Sequence, residues 1–270
     1  MSEELLTRIA AALERLSPSP PESADPLAHP AYVWDGVLQA ARQFAPVPID
    51  LLAGIDAQKG VLVENLRRLA AGLPAHDALL WGARGTGKSA LVKAAVGAVQ
   101  TDGGGLALVE AEGHMLESLP RLFALLAPAE RAFAVFIDDL GFDEGGEGPR
   151  RLRSLLEGGA EARPANVRLF VTANRRHIVP REMAEQQDAI SARDVMDDKL
   201  ALADRFGLSL GFHMIDQPTY VAIVAGYAEA HGLAFDPQEA IAWATTRGSR
   251  SGRVAWQYVV ELAGRQRKRL

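Results

Sequence analysis

From about residue 75 the chain alternates between two rhythms. Short unbroken apolar runs give way to longer stretches whose apolar residues recur every three to four positions. The runs at 78–82, 106–111, 132–138, 167–173 and 208–212 predict five strands. Helical patterns between them make βα units, and such units build a parallel sheet covered by helices on both sides. After Phe212 the strand pattern stops, and three helices are predicted to start near Pro218, Pro237 and Ser251. Asp236-Pro237-Gln238-Glu239 offers an N-cap, a proline at the first helical position and a glutamate able to close a capping box. The expected fold class is α/β: an αβα sandwich around a five-stranded parallel sheet, followed by a small C-terminal helical domain.

Upstream, Leu5, Leu6, Ile9, Leu13 and Leu16 predict a helix over 3–16, and Ser17-Pro18-Ser19-Pro20-Pro21-Glu22-Ser23 cannot continue it. Trp34, Val37, Leu38, Ala41 and Phe44 repeat at helical spacing and predict a further helix before Ile49. The domain reading is an N-terminal helix and Pro-rich linker over 1–30, an αβα core with a helical lead-in over 31–212, and the helical domain over 213–270.

Composition narrows the chemistry. With 270 residues and 48% hydrophobic content, the chain can bury a large core. The absence of cysteine excludes disulfides, thiolate metal sites and a cysteine nucleophile, and agrees with a reducing compartment. Six dispersed histidines give no pair at metal-ligand spacing, which leaves Mg²⁺ on oxygen ligands as the metal to expect. A net charge of -5 argues against a broad nucleic-acid footprint. No apolar run approaches the roughly 18 residues of a membrane span, and the first ten residues carry two glutamates, so no membrane association and a cytoplasmic location are expected.

The most informative residues are Gly82-Ala83-Arg84-Gly85-Thr86-Gly87-Lys88-Ser89, between an apolar strand and an amphipathic helix. This is the context a phosphate-binding loop requires. Gly82, Gly85 and Gly87 let the backbone curl so that successive N–H groups, that of Thr86 included, face phosphate oxygens at a helix N-terminus. Lys88 can reach the β and γ phosphates, and the Ser89 hydroxyl can ligate Mg²⁺. Some fifty residues on, the apolar strand Phe133-Ala134-Val135-Phe136-Ile137 ends in Asp138 and Asp139. Ligands of parallel sheets lie beyond the carboxyl ends of strands, so Asp138 is read as a metal ligand and Asp139 as the group that polarises the attacking water. The strand ending at Asn174 offers an amide to orient that water. Arg205, before the last strand, is open to pairing with Asp204, helix capping or a functional role. An arginine entering the final helix, Arg253 before Arg250, can swing onto a phosphate.

These motifs, in this order, resemble the AAA+ ATPases over roughly residues 47 to 262. The resemblance makes 82–89 the Walker A loop, 133–139 Walker B, Asn174 sensor 1, Arg205 an arginine finger and Arg253 sensor 2. More narrowly, Gly54-Ile55-Asp56-Ala57-Gln58-Lys59, the run from Leu80 to Ser89, Asp138-Asp139-Leu140, Ala173-Asn174-Arg175-Arg176-His177 and Asp204-Arg205-Phe206-Gly207-Leu208 are similar to a bacterial AAA+ family known as a domain of unknown function. It implies ATP and Mg²⁺ as ligands, ATP hydrolysis, Ile55 against the adenine, and a homo-oligomeric ring or arc in which Arg205 completes a neighbour's site. The partner it remodels or loads, protein or nucleic acid, is left open. Asp139 departs from the commoner Asp-Glu pair and leaves the hydrolysis rate open. An alternative is a slow ATP switch of helicase-loader or initiator type. A P-loop kinase or GTPase is a third, weakened by the lack of an Asn-Lys-x-Asp signature and of a second substrate pocket.

Overall fold

A computed structural model describes residues 4–5, 7–9, 22–141, 152–156, 163–174 and 204–270. Seven strands, β1 (Ala31–Trp34), β2 (Leu38–Ala40), β3 (Ala78–Gly82), β4 (Leu106–Ala111), β5 (Ala132–Ile137), β6 (Val167–Asn174) and β7 (Leu208–Phe212), form one sheet in the order β2-β1-β4-β5-β6-β3-β7. Every pairing is parallel except β1 with β2. The five expected strands are β3 to β7, and the sheet is larger than expected by two. The addition is a hairpin where a helix was predicted from Trp34 to Phe44. Gly36, at φ +101°, turns the chain, and Trp34 pairs with Leu38. Tyr32 and Trp34 are buried while Val33 is exposed, a two-residue alternation that suits a strand. The Trp34 indole N–H donates to Ser118 Oγ at 2.8 Å, fixing the hairpin to the core.

Both faces of the sheet are covered, as the unbroken apolar strands require. Helices α1 (Asp56–Ala70) and α2 (Lys88–Thr101) lie on the face carrying Leu80, Leu108, Phe136 and Phe170. Helix α3 (Leu119–Leu126) covers the face of Leu79, Val109, Val135 and Val171. Alternate residues of one strand therefore feed two separate cores. The chain from Ala24 is also tied down: its N–H donates to Leu38 O at 2.7 Å, and the Arg131 guanidinium holds the carbonyl of His29 at 2.7 Å. Of the first predicted helix, 4–5 and 7–9 are helical, and the remainder lies outside the described residues.

The three helices after the sheet are α4 (Gln217–Ala230), α5 (Pro237–Thr246) and α6 (Gly252–Arg265). They enclose a third core of Tyr220, Val224, Ala240, Tyr258 and Val259. Asp216, Asp236 and Ser251 cap them, each side chain accepting a backbone N–H of the first turn. Glu239, expected to fold back on the α5 cap, instead accepts from the Tyr258 hydroxyl and from Arg265, joining α5 to α6. Burial and the Glu239 charge push the Tyr258 phenol up to about 12.

The backbone of β3 meets that of β7 at its carboxyl end, and only glycine fits there. Gly82 has φ +142°, and a Cβ on it would stand 2.0 Å from Phe212 O. Gly82→Ala should cost at least about 2 kcal/mol by forcing these strand ends apart. Thermal unfolding should show a midpoint lower by at least about 4 °C; an unchanged midpoint would refute this reading of the close approach.

Candidate functional site

The strand order sets β5, β6 and β3 side by side and parallel, so their carboxyl ends open onto one edge. The segments that leave this edge begin at Ala83, Asp138 and just past Asn174. The loops from Ala83 and Asp138 and the end of β6 at Asn174 border a cavity of about 390 Å³ whose lining includes Gly85, Gly87, Lys88, Ser89, Asp138, Asp139 and Asn174, with Arg253 reaching in from α6. Arg84, Ala90 and Thr172 complete the lining.

The loop from β3 to α2 is shaped by its glycines: Gly85 at φ +76° and Gly87 at φ +94° occupy the left-handed region that side chains disfavour. Gly85 also lies against the helical domain, where a Cβ would come within 2.6 Å of Ser251 Cβ. The loop curls over Lys88, whose ammonium donates to Gly82 O at 3.0 Å and Ala83 O at 2.7 Å. The Thr86 hydroxyl donates to Ala83 O at 2.8 Å and braces the same turn. Lys88 is only 8% exposed. Burial pushes its ammonium pKa down, while the carboxylates of Asp139 and Asp138 pull it back up.

The two acids differ in their surroundings. Asp138 Oδ1 accepts from Ser89 Oγ at 2.6 Å and from Thr172 Oγ1 at 2.5 Å. Asp139 takes φ +49°, uncommon for a residue other than glycine, and its backbone N–H donates to Thr172 Oγ1 at 2.8 Å. Its Oδ1 accepts from the Asn174 amide, and its Oδ2 faces Arg84 Nη2 at 3.4 Å. Thr172 thus links both acids to β6, a role the sequence reading missed. The signal available was a hydroxyl inside the apolar run Leu169–Ala173, two positions before Asn174 and so on the same face of the strand. Arg84 was missed as well, because it occupies one of the unspecified positions of the loop motif.

The remaining expected residues fall in different places. The helical domain touches the loop directly: the Gly252 N–H, at the start of α6, donates to Gly85 O at 2.9 Å. That start brings Arg253 into the cavity and leaves Arg250 in a second one of about 360 Å³, lined also by Ala83, Thr86, Met214 and Ile215. Ile55 caps α1 with its Cδ1 3.7 Å from where a Cβ on Gly87 would stand, beside the loop but not in the lining of the first cavity. Arg205 lies in the turn before β7, three residues ahead of Leu208. Leu208 pairs with Ala78, whereas Phe212 pairs with Gly82, so Arg205 is at the opposite edge of the sheet from the loop, more than about 13 Å away at strand rise. The Arg175-Arg176-His177 segment lies outside the described residues.

This sheet order, with the glycine loop after β3 and the acid pair after β5, is a P-loop αβα fold. Solved structures with the same fold include the Orc1 protein of Aeropyrum pernix in complex with DNA, 17% identical over 82% of this chain and 65% of that one, with a TM-score of 0.56. A variant of Thermotoga maritima RuvB is 17% identical over 79% of this chain and 64% of that one, TM-score 0.54. Hsp104 with ATPγS and FITC-casein is 15% identical over 80% of this chain and 38% of that one, TM-score 0.52. The chain spans just under two thirds of the Orc1 and RuvB chains, at 65% and 64%, and the likeness is one of fold. No curated protein matches the sequence. The chain belongs to the family described as protein of unknown function (DUF815), which matches residues 27–266.

Proposed function

We propose that this chain is an ATPase that binds Mg-ATP at the 82–89 loop and hydrolyses it. The observation that carries the reading is the meeting, in one cavity, of Lys88, Ser89, Asp138, Asp139, Asn174 and Arg253. The N-terminus of the fourteen-residue α2 and the buried Lys88 ammonium both favour an anion there. The Ser89 hydroxyl and Asp138 carboxylate, 2.6 Å apart, are the hard oxygen donors that suit Mg²⁺ and would hold it. Bound there, the ion would supply charge neutralisation on the phosphates.

Asp139 is the general base: its carboxylate accepts a proton from water as the water oxygen attacks the terminal phosphorus and ADP leaves. Asn174 acts through Asp139, since its amide donates to that carboxylate. Arg253 places a cation on the phosphates from α6, so that residues 213–270 serve as a lid over the 31–212 core. Ile55 borders the adenine. Arg205 is too far from the loop of its own chain to serve it, which supports action on a neighbouring subunit in a ring or arc that remodels or loads a protein or nucleic-acid partner. No described helix is long and apolar enough to cross a membrane, and we place the protein in the cytoplasm.

A slow ATP switch of loader or initiator type is favoured by one observation: both Asp139 oxygens are engaged, which opposes fast turnover. Steady-state hydrolysis tests both readings. Asp139→Asn should bind Mg-ATP yet turn it over about 10²-fold more slowly, and unchanged turnover would remove Asp139 as the base. Wild-type turnover that rises only with single-stranded DNA would select the switch.

The trans role of Arg205 is tested by mixing. Arg205→Ala keeps a sound site without the finger, and Lys88→Ala keeps the finger without a sound site. Each should be inactive alone, with activity returning in the mixed oligomer, since an arginine supplied in trans is worth about 10³-fold or more. A mixture that forms hetero-oligomers and never exceeds the sum of its parts would rule out the finger.

A further inference from the structure

Arg84 has no catalytic role in the reading above, yet its guanidinium stands 3.4 Å from the proposed base. Its side chain, 79% exposed, spans from the β3 loop past β6 to Asp139. Asp139 Oδ1 accepts from the Asn174 amide and the Arg84 guanidinium stands at the other oxygen, so a cation holds the less occupied face of the base. Arg84 also lines the cavity that holds Lys88 and Ser89, and it is close enough to Lys88 to oppose that ammonium's charge. Three cations, Lys88, Arg253 and Arg84, therefore border the space assigned to phosphate, and Arg84 is paired with the base.

We propose that Arg84 is a positioning residue that exchanges between two anions, the Asp139 carboxylate and the phosphates of a bound nucleoside triphosphate, so that the arrival of nucleotide frees the base. This rests on the nucleotide reading of the same cavity. An exposed ion pair at 3.4 Å is weak and readily given up. A guanidinium binds phosphate through two parallel N–H groups, and a triphosphate carries more charge than one carboxylate. Exchange is therefore downhill once phosphate is present. Asp139 meanwhile keeps its place through the Asn174 amide and its backbone N–H to Thr172.

The exchange makes the affinity for nucleotide depend on Asp139 through Arg84. The test is calorimetric titration of the full-length wild type, Arg84→Ala, Asp139→Asn and the double variant with adenylyl imidodiphosphate and Mg²⁺. Asparagine tolerates a positive φ, and Arg84 is exposed, so all four chains should fold; circular dichroism checks this. Asp139→Asn releases Arg84 and should tighten binding, with a gain at least about threefold larger when Arg84 is present than when it is alanine. Equal fold-changes in the two backgrounds would overturn the exchange while leaving the nucleotide site intact. Failure of every chain, wild type included, to bind the analogue would overturn the nucleotide reading and this inference with it.

Discussion

A buried ammonium group organises this molecule. Lys88 is held beneath its own loop by two backbone carbonyls, which orient the charge but do not neutralise it. Burial opposes the charged form, and the two acids at the cavity restore part of it. An anion that binds beside such a group stabilises it further. The surrounding geometry follows from that arrangement. Gly82 must take its unusual φ so that its carbonyl faces Lys88 while the chain passes Phe212, and the left-handed turns at Gly85 and Gly87 bring the loop around to the start of α2.

The sheet supplies the rest of the site through order rather than through sequence proximity. Because β6 lies between β3 and β5, Thr172 is within reach of Asp138 and of the Asp139 backbone, and Asn174 is within reach of the Asp139 carboxylate. Asp139 is held at a positive φ by these bonds, a local cost of the kind that surrounding structure must over-determine. The helical domain enters the same arrangement at two close contacts. Gly54 lies against Thr219 and Gly85 against Ser251, both too near for a Cβ. A shift of the 82–89 loop would therefore meet the start of α6 at Ser251, and a shift of the Gly54 turn would meet the first turn of α4 at Thr219.

Much of this was legible in the chain. Strands apolar on both faces announce themselves as unbroken runs, and β3 and β4 begin and end where the runs do; the edge strand β7 keeps its expected bounds with Ser209 exposed. The phosphate loop and the acid pair have fixed local spacing, so the sequence carries them directly. The hairpin from Ala31 to Ala40 was misread because Trp34, Val37, Leu38 and Ala41 satisfy helical spacing as well as a short paired strand. Asp35-Gly36 was the turn signal that favoured the hairpin. Thr172 and Arg84 were hidden for another reason: their partners are distant in sequence, at 33–34 and 55 residues, and only strand order brings them together. The capping role expected of Glu239 yielded to tertiary contacts with Tyr258 and Arg265, which no local pattern encodes.

The central claim is that the Lys88 ammonium receives the phosphates of ATP. Titration calorimetry of the wild type and of Lys88→Ala with Mg-ATP tests it most directly. The account predicts saturable one-site binding to the wild type, weakened at least about tenfold in the variant by loss of a charged hydrogen bond. Wild-type affinity in a folded Lys88→Ala protein would contradict it.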